Sequence, residues 1–343
     1  MSKRARTSSQ ADDEQSSART LTVEQHTTII MSRSIVVERD IKLADFNDLT
    51  FEGRTLPEVV EGLGWLPLIH RTGYASKNMV REFYCSILRA RDLEEPSMEL
   101  TVRNVPIIFS PDELANFLGY ERDLTAFPNL PMSEEGRPTK AEVFRTMLGD
   151  DTTILEGSFM VHGQLLPFWR IMHLILCSSI DPKKHTTELS YSRAEFLYLA
   201  VVRGLPVDIA SYIYLSIRAE ALKTDATISL PHGILLTQFL HAMMVPESGD
   251  EPRALPLGSI NKTTLSKSIA QTRRALQAAR VARVRRQEQP EEAMEGEDPG
   301  QSSTQGLGAQ RPSWMDSMMT ELSQRWNRSC SPPIAWSVIS VVV

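Results

Sequence analysis

A chain of 343 residues, 41% apolar and 23% charged, has the length and composition for one medium-sized globular domain with appended segments. The net charge of −6 hides an uneven distribution: residues 262–286 carry eight Lys or Arg and no acid, whereas 287–298 carry six acids and no base. Cys85, Cys177 and Cys330 are too few and too scattered for the disulfide framework of a small secreted protein, Met1–Gln10 lacks the apolar core of a secretory signal, and the apolar run Ile334–Val343 is about half the roughly 20 residues that cross a bilayer. These features predict an intracellular protein, nuclear or cytoplasmic, with no membrane partner.

In chain order, residues 1–34 are rich in Ser, Thr, Gln and mixed charge and are expected to be a disordered tail. Within it Lys3-Arg4-Ala5-Arg6 reads either as a nuclear-entry signal or as a solvated basic cluster. Residues 35–246 concentrate the apolar positions and form the predicted domain. From Ser76, the residues Met79, Val80, Phe83, Tyr84, Ile87 and Leu88 recur at the spacing of an amphipathic helix, with Lys77, Arg81 and Arg89 outward. Met98, Leu100 and Val102 alternate with polar residues, and Val105–Phe109 follows across Arg103-Asn104, the pattern of a small hairpin. Ser110-Pro-Asp-Glu113 supplies a cap, an N-terminal proline and a third-position acid for the next helix, which Gly119 closes. Residues 126–138, with three prolines and Gly136, read as a long irregular loop.

Thr139-x-x-Glu142 and Ser192-x-x-Glu195 are two further capping-box patterns, each ahead of an apolar helix with a glycine stop at Gly149 or Gly204. Leu165–Cys177 is almost wholly apolar and is expected to be the central helix. Segments 206–222 and 231–244 complete a mainly α fold with one β-hairpin. Beyond it come a linker at 247–261, a basic helix at 262–286, an acidic disordered linker at 287–311, a short amphipathic helix at 312–328 and an irregular tail at 329–343.

Two groups of segments carry a family resemblance. Arg81-Glu-Phe-Tyr-Cys85 leads into Val102-Arg-Asn-Val-Pro-Ile-Ile-Phe-Ser-Pro111, and Leu166-Pro-Phe-Trp-Arg170 leads through Ser190-Tyr-Ser-Arg193 to Leu230-Pro-His232. Together, over about residues 55–246, they resemble the plant transposon protein domain found in plant transposable-element proteins, often retrotransposon-derived. The resemblance implies an origin in a plant transposable element and a gag-like structural or interaction role. It implies no reaction.

The residues point to no enzyme either. A nuclease or integrase, the rival reading, needs carboxylates converging on two metal ions, and Asp150, Asp151, Glu156, Asp181, Glu188, Glu195 and Asp208 sit at no recognisable strand ends. Glu195 reads as a cap partner, Asp181 as a turn residue before Pro182, and Asp208 as a first-turn acid. A central five-stranded sheet would favour the enzyme. No zinc knuckle, nucleophile elbow or phosphate loop is present, Gly62-Leu-Gly64 lacking both a preceding strand and a third glycine. No catalytic residue, metal ligand or cofactor is therefore assigned. His173 and Cys177 share a helix face and read as core, as do Cys85 and the aromatic residues Phe83, Tyr84, Phe109, Phe117, Phe168 and Trp169.

Two segments have candidate binding roles. In the basic helix, Ile269 and Leu276 share a stripe with Arg280 and Arg283, so the apolar face ends before the helix does. Arg273, Arg274, Arg280, Arg283, Arg285 and Arg286 are candidate nucleic-acid contacts binding phosphate through counterion release; a solvated helix neutralised by the following acids is the alternative. In residues 312–328, Trp314, Met318, Leu322 and Trp326 form an apolar stripe suited to self-association or to docking on another protein. A host protein-interaction module fits the same features.

Overall fold

The computed structural model describes residues 21–93, 96–129, 136–150, 152, 153, 155 and 157–288. The described elements in order are α1 (Val23–Ser32), β1 (Asp40–Ile41), β2 (Thr50–Phe51), β3 (Arg54–Thr55), α2 (Leu56–Gly62), α3 (Leu66–Ile69), β4 (Ala75–Ser76), α4 (Lys77–Ile87), β5 (Arg91–Asp92), β6 (Met98–Val102), β7 (Val105–Phe109), α5 (Pro111–Leu118) and α6 (Lys140–Leu148). They continue with β8 (Phe159–Val161), α7 (Pro167–Ile175), β9 (Glu188–Ser190), α8 (Tyr191–Val201), α9 (Ile209–Ala221), α10 (Gly233–Ala242), β10 (Arg253–Ala254), β11 (Ser259–Ile260) and α11 (Lys262–Glu288). The fold is mainly α, as its sequence predicts, and the largest sheet among the described residues has three strands, β5-β6-β7.

Local chemistry accounts for most of these elements. The β6–β7 hairpin turns at Arg103 and Asn104, both with positive φ (50° and 65°), as a two-residue turn matched to the strand twist requires. The Ser110 hydroxyl accepts the Glu113 amide at 3.1 Å to open α5, and Gly119 closes it in the left-handed conformation that a side chain resists. Thr139 and Glu142 form the full reciprocal capping box of α6. Asp208 sits at the N-cap of α9, accepting from the Ser211 amide. The central position is shared: α7 from Phe168 to Ile175 and nearly all of α9 are buried. Around them Phe109 meets Phe83 edge-on and Tyr214 at a tilt, each at 5.1 Å. Phe117 is half-buried against the same core.

The structure corrects three expectations. The cap of α8 is Ser190, not Ser192. β9 runs directly into the helix, Ser192 lies inside it, and the Ser190 and Ser192 hydroxyls meet at 3.3 Å without capping an amide. Of the tail expected at 1–34, residues 21–34 are structured: Thr22 and Gln25 form a capping box, Ile30 packs into the core, and Arg33 is fully buried. Residues 247–261 are not a free linker. β10 pairs with β4, β11 pairs in parallel with β1, and the Glu251 carboxylate accepts the Asn78 and Met79 amides at 2.9 and 3.3 Å. That carboxylate supplies the N-terminal cap of α4 that Ser76 does not.

Candidate nucleic-acid interface

α11 is built onto the domain rather than hung from it. Its first turn is fixed by Asn261 and Thr264, each side chain accepting the other's amide (3.2 and 3.3 Å), and by Asp45, which accepts the Lys262 amide at 2.8 Å. Leu265 packs against the core and Ser268 is buried. Beneath them lies Arg170, fully buried, whose guanidinium donates to the carbonyls of Gly163 (2.6 Å), Leu165 (3.0 Å) and Ser268 and touches Gln271 Oε1 at 3.5 Å. The planar five-donor fork of arginine suits such a ring of carbonyls. Burial lowers the Arg170 pKa from its usual value, and burial together with the Arg170 charge pushes neighbouring His162 down to about 4.

Past this anchor the helix faces solvent. Ala270, Gln271, Arg273, Arg274, Gln277, Ala278 and Val281 are exposed, and Ser268 is the last buried residue among the described side chains of α11. Of the candidate phosphate contacts, Arg273 and Arg274 stand exposed on α11. Arg280, Arg283, Arg285 and Arg286 fall within its helical span, their side chains outside the described part. Trp314, Met318, Leu322 and Trp326 lie outside the described residues.

The interior uses its charges differently. Arg193, buried on α8, donates to Asp181 Oδ2 at 2.8 Å through Nε and to the Asp181 carbonyl at 2.7 Å, and reaches Cys177 Sγ at 3.2 Å. Burial opposes ionisation of Asp181, but the Arg193 and Lys183 charges overcome it and hold the pKa at about 2. His173 lies 3.5 Å from Cys177 Sγ, its pKa lowered to about 3 by burial and by the His162 and Arg193 charges. His232 opens α10 in the left-handed conformation. It is buried, its pKa is lowered to about 4 chiefly by burial, and neither ring nitrogen has a hydrogen-bond partner among the described residues. Gly233 follows by necessity, since a Cβ there would stand 2.7 Å from both Ala75 and Ile35.

A second buried pair, Arg33 with Glu220, joins the segment before β1 to α9, with Lys223 Nζ on the same carboxylate at 2.6 Å. On the hairpin, Arg103 binds Glu82 in two-pronged fashion and Glu251 at 2.9 Å. Asp208 is held by Arg122 and Asn129 rather than by its helix alone. No group of His, Cys, Asp and Glu suited to a metal ion occurs among the described residues, and no described helix is long and apolar enough to cross a membrane.

The roles of Arg33, Arg170 and Arg193 escape a sequence reading. The one legible signal is Arg170 itself, a lone charge in an otherwise apolar run.

The family model described as Putative plant retrotransposon-related domain matches residues 61–246. No curated protein and no solved structure matches the chain. Matched over more than half of its residues and through every helix from α3 to α10, the chain belongs to the plant retrotransposon-related domain family and is transposon-derived.

Proposed function

We propose that the protein is a non-enzymatic, gag-like structural component of a plant retrotransposon-derived element, with the helical domain as an assembly module and α11 as a sequence-indifferent nucleic-acid contact. The observation that supports this reading most is the anchored basic helix: a segment with eight cations and no acid up to residue 286 begins on the Arg170 carbonyl ring and turns Arg273 and Arg274 into solvent. A merely solvated segment gains little from being fixed to the core, whereas a fixed row of cations presents phosphates with a preorganised surface. The apolar stripe of Trp314, Met318, Leu322 and Trp326 serves self-association in the same reading.

The test is fluorescence anisotropy of full-length protein with mixed-sequence nucleic acids across a salt series. Affinity should fall steeply with salt, with a log-log slope of about −0.9 per duplex phosphate neutralised. Replacing Arg273, Arg274, Arg280, Arg283, Arg285 and Arg286 by Gln should abolish binding while leaving thermal unfolding unchanged. Binding that is flat with salt, or that survives the six replacements, would overturn the proposal.

A further inference from the structure

The arrangement of cations along α11 goes further than affinity for phosphate, and it rests on the reading of this helix as a nucleic-acid contact. At about 100° per residue, exposed Lys262 and Arg273 fall within about 20° of one another, and exposed Lys267 and Arg274 form a second row about 120° away. By spacing, Arg280 continues the first row seven residues past Arg273 and Arg285 the second eleven past Arg274, whereas Arg283 and Arg286 fall on neither row. Between the rows runs an uncharged strip containing Ala270, Gln277 and Val281, all exposed. The docked positions Leu265 and Ser268 lie on the opposite side, so the domain does not obstruct this face.

We infer that α11 is a major-groove helix for B-form duplex DNA. Two cation rows so far apart on a helix about 10–12 Å across diverge too widely to follow a single strand. They match the phosphate walls of a groove about 12 Å wide, with the strip between them turned to the base edges. The strip itself suits that floor: Ala270, Gln277 and Val281 add no charge that would hold the helix off the base edges. From Ala270 to Arg286, ahead of Glu288, the helix spans about 24 Å, or about seven base-pair steps. The major groove of A-form RNA is deep and narrow and does not admit such a helix, which commits the surface to DNA.

The experiment compares a DNA duplex of about two helical turns, the RNA duplex of the same sequence and the single DNA strand, all with full-length protein in anisotropy titrations. The DNA duplex should bind at least about tenfold more tightly than either competitor. Arg273→Gln with Arg280→Gln, and separately Arg274→Gln with Arg285→Gln, should each lower the salt slope by about 1.8. Because Arg273 and Arg274 are exposed, loss of folding should not confuse the result; an unchanged thermal transition confirms this. Equal or tighter binding of RNA or single strand would overturn the major-groove assignment while leaving the broader nucleic-acid reading intact. A slope that responds to only one pair would overturn the two-wall geometry. Failure of all three probes to bind at low salt would overturn both this inference and the function on which it rests.

Discussion

Arginine is used in opposite ways inside the domain and along α11. Inside, Arg33, Arg170 and Arg193 are buried, and every one ties together parts of the chain through carboxylates or carbonyls. On α11, Arg273 and Arg274 stand in water on a helix whose outer face packs against nothing of the domain's core. A buried cation is tolerated when its charge is met by acceptors, as it is at the Nη atoms of Arg170, although the Nε there has no partner among the described residues, so its worth is structural and its loss is costly. An exposed one contributes almost nothing to folding and is available to an outside phosphate. The same residue type thus separates a part of the molecule that holds itself together from a part equipped to hold something else.

The largest effect should come from Arg193→Ala, which leaves the buried Asp181 carboxylate with Lys183 as its remaining cation, 3.5 Å away, and is expected to cost about 3–5 kcal/mol by urea denaturation. Arg193→Ala with Asp181→Ala should recover much of that loss, since the penalty lies in the unpaired charge. A double variant as unstable as the single one would show that packing, not charge, sets the cost.

Acid should act next. The pKa values of His162, His173 and His232 are lowered to about 4, 3 and 4 in the folded protein against about 6.5 unfolded, so the unfolded chain binds more protons between those limits. These imidazoles take stability away as pH drops from 6.5 toward about 4, whereas the Glu38 carboxyl, raised to about 8 by burial, acts in the opposite sense and adds stability as pH falls from about 8 to 4.5. The depressed pKa of Asp181 adds a further loss only below about pH 4, continuing toward about 2. Denaturation midpoints at three pH values check the first window. No change between pH 7 and 4.5 in a Glu38→Gln background would contradict the buried neutral imidazoles.

Arg170→Met should have a smaller and more local effect. It removes the guanidinium from three carbonyls while relieving a buried charge, for a net loss of about 1–3 kcal/mol. Hydrogen exchange should quicken in the first two turns of α11 before anywhere else. The smallest effect belongs to the shaft: Arg273→Gln and Arg274→Gln should stay within about 0.5 kcal/mol of the parent in unfolding while weakening phosphate binding.

This contrast also marks what the sequence discloses. The α5 and α6 caps, the hairpin turn at Arg103-Asn104 and the apolar helices are written in residues a few positions apart, and each forms as its pattern predicts. The buried pairs are not: Arg33 meets Glu220 across 187 positions and Arg170 meets Ser268 across 98. Apart from Arg170, set in an apolar run, nothing local distinguishes such an arginine from a solvated one, which is why residues 21–34 read as tail and 247–261 as linker. Ser192 misled for a related reason. Its spacing to Glu195 is right, but Tyr191 stacks on Phe144 from the first turn of α8, and the helix begins at Tyr191 with its N-cap two residues before Ser192, at Ser190. On α11 the run of cations is visible in sequence, whereas the carbonyl ring holding its base is not.

The parallel pairing of β1 with β11 has a consequence for biosynthesis. Arg39 waits for the carbonyl of Ser259, 220 positions downstream, and at 5–20 residues per second a ribosome takes about 10–45 s to deliver it. During that interval the α4 helix lacks its Glu251 cap and the floor beneath Leu265 and Ser268 stays uncovered. The nascent domain therefore carries open apolar surface until the start of α11 has been translated.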